Sequence, residues 1–191
     1  VFVKQAGQID TVFPLANQSP AEMPTGWNPN YKPKEQRFSL FVPPQATVPR
    51  NLKESGMKAT SGFPLVLFIS PGKNPQGWPQ FEKVCRQNNV FFASPYDAGN
   101  NCDLPRRVQI ILDVLGQLRA EYPIDPEQTY LAGFSGGGRV ALMIAYALPE
   151  YVGGVIPVCA AEAPREESWL RERVASRLSV ALITGENDFN R

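Results

Sequence analysis

Histidine is missing from this sequence: none occurs among its 191 residues. That removes the usual proton acceptor for a serine or cysteine nucleophile and with it the mixed cysteine–histidine zinc sites. Cysteine is scarce too. Cys85, Cys102 and Cys159 are spaced unlike any metal-binding motif, so neither a metal nor another cofactor is expected. A disulfide between Cys85 and Cys102 would close a short loop, but isolated buried thiols are the expected state of both, and Cys159, inside an apolar run, is expected to be buried as well. No basic cluster is long enough to follow a phosphate backbone and the formal charge is only +1, which argues against a nucleic-acid partner. The longest apolar runs, "FPLVLFI" and "VALMIAYAL", are less than half of the ~20 residues a bilayer span needs, so a soluble chain without a membrane partner is expected. The chain begins at Val1 with neither methionine nor a signal-peptide pattern, which suggests a processed or trimmed start.

What is present is a chain of 43% hydrophobic content, enough for one substantial core. Residues 1–36 are interrupted by Pro14, Pro20, Pro24, Pro29 and Pro33 and read as an extended arm wrapping a body. "RFSLFVP" (Arg37 to Pro43) alternates like a half-exposed strand, and Pro49 to Gly62 reads as a surface loop. From Phe63 onward apolar runs alternate with amphipathic stretches. "PLVLFIS", "VFFASP", "TYLAGF", "VGGVIPVCA" and "SVALITG" are predicted strands, and helices are predicted from Pro79, after Asp103 as N-cap, over "GGRVALMIAYAL" and over "EESWLRERVAS". The second helix carries Val108, Ile111, Leu112, Leu115 and Leu118 on one face and stops before Pro123. The alternation defines an α/β fold, a mainly parallel sheet with helices on both faces.

One motif carries chemistry. "GFSGG" (Gly133 to Gly137) matches G-x-S-x-G between a buried strand and an apolar helix, where the glycines allow a sharp turn that exposes Ser135 at the carboxyl edge of the sheet. The helix that starts at Gly136 aims its first backbone N–H groups at the same point, where they would stabilise negative charge on a substrate oxygen. A plain glycine-rich turn is the alternative; a phosphate loop would need a lysine and hydroxyl that are absent. Trp78, Tyr96, Asn100 and Asn101 follow strands whose carboxyl ends border this point and are candidate substrate contacts, suited to an aryl ester or a sugar-linked acyl group. Equally, Trp78 would serve as a helix cap and the asparagines as ordinary turn residues. Arg139, in the first turn after the serine, could meet a substrate carboxylate, but an ion pair with an acid such as Glu162 is the expected state.

At "FSLFVP", "FPLVLFISPG", "YPIDPEQTYLAGFSGGG" and "LITGENDFNR" the chain resembles the α/β-hydrolase superfamily, and within it the esterase group of polyhydroxybutyrate depolymerases and feruloyl esterases. The resemblance runs from about Arg37 to the end, making 37–191 the hydrolase core. It implies that Ser135 is the nucleophile, that the Gly136 amide is one oxyanion donor, and that the other comes from the loop after an earlier strand. That loop normally carries His-Gly; here "SPGKN" puts Pro71 and Gly72 there and makes the Lys73 amide the donor. Asp188 of "GEND" matches the triad acid, with Glu186 close by. In that group the histidine follows the acid after one more strand. The resemblance therefore implies a core truncated before the last strand, which would also account for "SVALIT" as an uncovered apolar edge.

The expectation is thus a serine-dependent carboxylic ester hydrolase acting on a small or polymeric ester, with its histidine in a missing carboxyl-terminal segment. Lys73 would replace that base only if burial stripped its proton, and Glu186 or Asp188 acting directly on the serine would be an unusual dyad. A serine peptidase of the same fold and a non-catalytic hydrolase-like binding domain are the alternatives. The resemblance also implies a secreted or periplasmic protein.

Overall fold

The β-branched and aromatic runs from Phe63 onward become strands, and the stretches between them become helices because their apolar residues recur at helical spacing. The computed structural model describes residues 6–14, 32–47, 62–163 and 166–188. Its elements are β1 (Ile9–Pro14), β2 (Arg37–Phe41), β3 (Phe63–Ile69), α1 (Trp78–Asn88), β4 (Phe91–Pro95), α2 (Leu104–Glu121), β5 (Ile124–Phe134), α3 (Gly136–Ala147), β6 (Gly154–Val158), α4 (Ser168–Arg177) and β7 (Ser179–Val180), with 3-10 turns at Pro33–Glu35 and Pro44–Thr47. The strands form one seven-stranded sheet in the order β1-β2-β4-β3-β5-β6-β7. β4, β3, β5, β6 and β7 run parallel, whereas β1 and β2 are antiparallel additions beside β4.

Both faces of the sheet are covered, so strand residues of either parity are buried. Leu65, Leu67 and Ile69 of β3 meet Ile111, Leu115 and Leu118 of α2 and Val140, Ala141 and Ile144 of α3. Val66 and Phe68, pointing the other way, join Phe41, Phe92 and the α1 residues Trp78, Phe81 and Cys85. Each fully buried Phe or Leu contributes about 1.5–3 kcal/mol.

One sequence expectation is overturned by burial. β2 is not half-exposed: Phe38, Ser39, Leu40 and Phe41 are all buried, because β1 and β4 flank it and Ser39 is satisfied by donating to Ser94 O at 3.3 Å. Within the proline-rich arm, Ile9–Pro14 is extended and lies along β2 as the edge strand of the sheet. Pro20, Pro24 and Pro29, and most of the expected loop before Gly62, lie outside the described residues.

β5 begins earlier than "TYLAGF". Phe63 pairs with Ile124 and Leu65 with Thr129, so residues 125–128 bulge out of the ladder. Asp125 closes the bulge on itself, its carboxylate accepting from Glu127 N at 2.9 Å and Gln128 Nε2 at 2.7 Å, while its carbonyl accepts from Thr129 Oγ1 at 2.8 Å. Beyond Thr129 the pairing with β3 is regular through Gly133.

Candidate active site

Every parallel strand delivers its following loop to the same edge of the sheet, which is where open α/β sheets bind ligands. Ser135 leaves β5 at φ 52°, ψ −123°, a conformation costly for any residue with a β-carbon. It is held there from both sides: its N–H donates to Val158 O at 2.8 Å and its carbonyl accepts from Arg139 N at 3.1 Å. The flanking glycines are steric requirements. A β-carbon on Gly137 would strike the carbonyl oxygen of Ile69, and one on Gly133 would strike the Gly137 backbone. Gly136 and Gly137 open the first turn of α3, whose leading amides have no carbonyl partner within the helix.

The loop after β3 is fastened to the loop after β4. Asp97 N donates to Lys73 O and Asn100 N to Pro71 O, each at 2.8 Å. Gly99 packs so close to Gly72 that no side chain would fit there. The Gly72 amide is committed to Ser70 Oγ at 3.0 Å, which leaves Lys73 as the next main-chain donor of the loop. The Lys73 ammonium lies 3.6 Å from Asp97 Oδ1 and is 79% exposed, so nothing buries it.

Asp188 stands on the loop after β7, where Thr184 Oγ1 donates to its Oδ2 at 2.8 Å and its own N–H reaches Gly185 O at 3.2 Å. Ser135 and Asp188, far apart in sequence, line one cavity of about 440 Å³ together with Phe134, Cys159, Gly185, Glu186 and Asn187. Lys73, Asn100 and Asn101 line a neighbouring polar cavity of about 270 Å³ with Arg106 and Asp103. Trp78 and Tyr96 are brought to a third cavity, not to Ser135. Trp78 packs at a tilt against Phe41 and Phe92 with ring centres 4.7 and 5.3 Å apart, and Arg37 covers the Tyr96 ring at 5.0 Å.

Three expectations about single residues change. Cys159 is half-buried rather than buried and faces the Ser135 cavity, its backbone at φ 52° and its N–H on Ile183 O at 2.8 Å. Cys102 is half-buried in the polar cavity, and no disulfide joins it to Cys85, which is fully buried. Burial raises the Cys102 pKa, against the opposing pull of Arg106. Arg139 is exposed and makes no ion pair with Glu162 among the described residues. No group of three or more His, Cys, Asp and Glu able to hold a metal ion occurs among the described residues, and no helix there is long and apolar enough to cross a membrane.

Arg107 escaped the sequence reading. It is only 5% exposed, and its guanidinium donates to Asn100 Oδ1 and to Ser70 O, each at 3.1 Å. The available signal was a pair of arginines, Arg106 and Arg107, one turn into an amphipathic helix.

No family model matches the chain, and no curated protein matches it by sequence. Among solved structures it is similar to S-formylglutathione hydrolase from Staphylococcus aureus, with a TM-score of 0.59 at 13% identity, covering 81% of this chain and 72% of that one. A fluorophosphonate-binding serine hydrolase of Staphylococcus aureus matches with a TM-score of 0.54 at 12% identity, over 81% and 74% of the two chains. A mutant feruloyl esterase module from Clostridium thermocellum, complexed with sinapinate, matches with a TM-score of 0.53 at 12% identity, over 79% and 62%. The chain has the α/β-hydrolase fold, and its structural neighbours are esterases and serine hydrolases.

Proposed function

We propose that the chain is the core of a serine-dependent carboxylic ester hydrolase. The observation that supports this most is the strained turn at Ser135, φ 52° and ψ −123°, opening at the head of α3 onto a cavity it shares with Asp188. In this reading Ser135 Oγ attacks the ester carbonyl carbon and its proton passes to a general base. The resulting oxyanion is received by the Gly136 and Lys73 amides. Collapse expels the alcohol, which takes the proton from the base, and leaves an ester on Ser135. Water then attacks; the base takes the water proton and returns it to Ser135 as the acid leaves. Asp188 orients the base and stabilises its protonated form. This reading requires a base that these residues do not supply as histidine, and it assigns that part to a histidine elsewhere in the full-length protein. Asn100 and Asn101 are the substrate contacts nearest this centre, while Trp78 and Tyr96 would reach only the far end of a large substrate. An exported protein acting on external esters is consistent with this reading.

A fluorophosphonate should label the full-length protein at Ser135, and Ser135→Ala should abolish the labelling. Absence of the label would sink the proposal. Faster turnover of an aryl ester than of a peptide amide separates an esterase from a peptidase. A second reading, a hydrolase-like domain that binds without cleaving, is favoured by the lack of histidine; it predicts binding of a polymer by the full-length protein with no hydrolysis.

A further inference from the structure

We propose that Arg107 is a positioning residue of the Ser135 centre: its guanidinium fastens the loop after β3 and the Asn100 carboxamide so that the Lys73 and Gly136 amides are presented together. The proposal rests on the ester-hydrolase reading above. Arg107 sits in the first turns of α2, beneath the loops rather than on the cavity wall. One amino group donates to Ser70 O, the carbonyl at the root of the segment that leads to Lys73. The other donates to Asn100 Oδ1. That carboxamide occupies the space a β-carbon of Gly136 would need, so it bears directly on the residue whose amide is the other oxyanion donor. One side chain therefore reaches both halves of the site, and the Asn100 N–H to Pro71 O bond closes the circuit between them.

The cost of placing Arg107 there argues for a purpose beyond filling space. A buried guanidinium is expensive unless a carboxylate compensates it, yet Arg107 forms no ion pair among the described residues, and its Nε is buried without a partner. Desolvation pushes its pKa down, the direction expected for such a cation. A leucine would fill the volume at no ionic cost. What only the planar fork supplies is two donors at fixed separation, aimed here at two different loops. Groups that hold catalytic donors without touching substrate are worth about tenfold to a hundredfold in related settings.

The test uses the full-length protein and three readouts: the rate of fluorophosphonate labelling at Ser135, kcat and KM for a p-nitrophenyl ester, and the melting temperature. Arg107→Met should lower kcat and the labelling rate about tenfold to a hundredfold, with KM within about twofold. Arg107→Lys, which keeps the charge but not the fork, should recover only part of the loss. Asn100→Ala, at an exposed side chain, should lower kcat while leaving the melting temperature nearly unchanged. If Arg107 acts through Asn100, the double variant should be little worse than Arg107→Met alone. Wild-type kcat in Arg107→Met, or losses that multiply in the double variant, would overturn the proposal. Should Arg107→Met fail to fold, Asn100→Ala and Arg107→Lys decide it, and wild-type kcat in both overturns it. Labelled wild-type protein with unaffected variants defeats the Arg107 proposal alone; unlabelled wild-type protein defeats the ester-hydrolase reading and this proposal together.

Discussion

Asn100 Oδ1 stands where a β-carbon on Gly136 would have to be. An alanine at 136 must therefore push the carboxamide aside, and the carboxamide is anchored by Arg107 at 3.1 Å. We predict that Gly136→Ala lowers kcat for an aryl ester by about tenfold to a hundredfold, because the displaced group lies beside an oxyanion donor. Steady-state kinetics on the full-length protein checks this. Unchanged kcat would mean that Asn100 moves at no cost.

Gly137 and Gly185 should respond to alanine in opposite ways. At Gly137 the added carbon meets the Ile69 carbonyl, which is backbone of the central strand and cannot swing away; at Gly185 there is nothing within 4 Å. Gly137→Ala should cost about 2–3 kcal/mol or prevent folding, whereas Gly185→Ala should stay within about 0.5 kcal/mol. Denaturant unfolding of the two variants side by side makes the comparison.

Asp188 is held by Thr184 through a 2.8 Å hydrogen bond. If Asp188 orients the base, Asp188→Asn should lower kcat by roughly 10³- to 10⁴-fold. Thr184→Val, which removes only the hydroxyl that steadies the carboxylate, should cost about tenfold. An Asp188→Asn variant with near-normal turnover would assign the acid to another residue, Glu186 being the next on the same cavity wall.

Burial drives the Cys85 thiol up to a pKa of about 12 from its ordinary value of 9.0. The folded protein therefore keeps this proton at alkaline pH values where the unfolded chain has lost it. The sign follows: stability from the neutral buried thiol is fully present below pH 9 and is lost as pH rises from there toward 12. Melting temperatures across that range should fall less steeply for Cys85→Ala than for the wild type. Native-state alkylation at pH 8 should spare Cys85 and reach the half-exposed Cys102 and Cys159 first.

The parallel part of the sheet was legible because its strands are short apolar runs punctuated by helices, and Asp103 does cap α2, accepting from Arg106 N at 3.2 Å. The turn at Ser135 was legible because glycine spacing restricts what a backbone can do there. What the sequence hid depends on distant partners. Serine at 39 looked solvent-facing until its acceptor, Ser94 O, came from a strand 55 residues away. Arg107 drew no attention in the sequence because nothing local reveals that its two acceptors arrive from the loops after β3 and β4. Trp78 looked like a cavity wall near the serine, but its ring is taken up by Phe41 and Phe92.

The bulge at residues 125–128 gives the chain a tolerance to changes in length. Because Asp125 closes it locally and the register from Thr129 to Gly133 is fixed independently by β3 on one side and, from Tyr130 onward, β6 on the other, a residue gained or lost within it need not slide the strand beyond. A slip of one position past Thr129 would instead turn every later side chain to the opposite face. Insertions and deletions should therefore be better tolerated between Asp125 and Gln128, where they disturb only the bulge and its packing of Glu127 on Gly153 and Arg177, than between Thr129 and Ser135, where they would displace the serine.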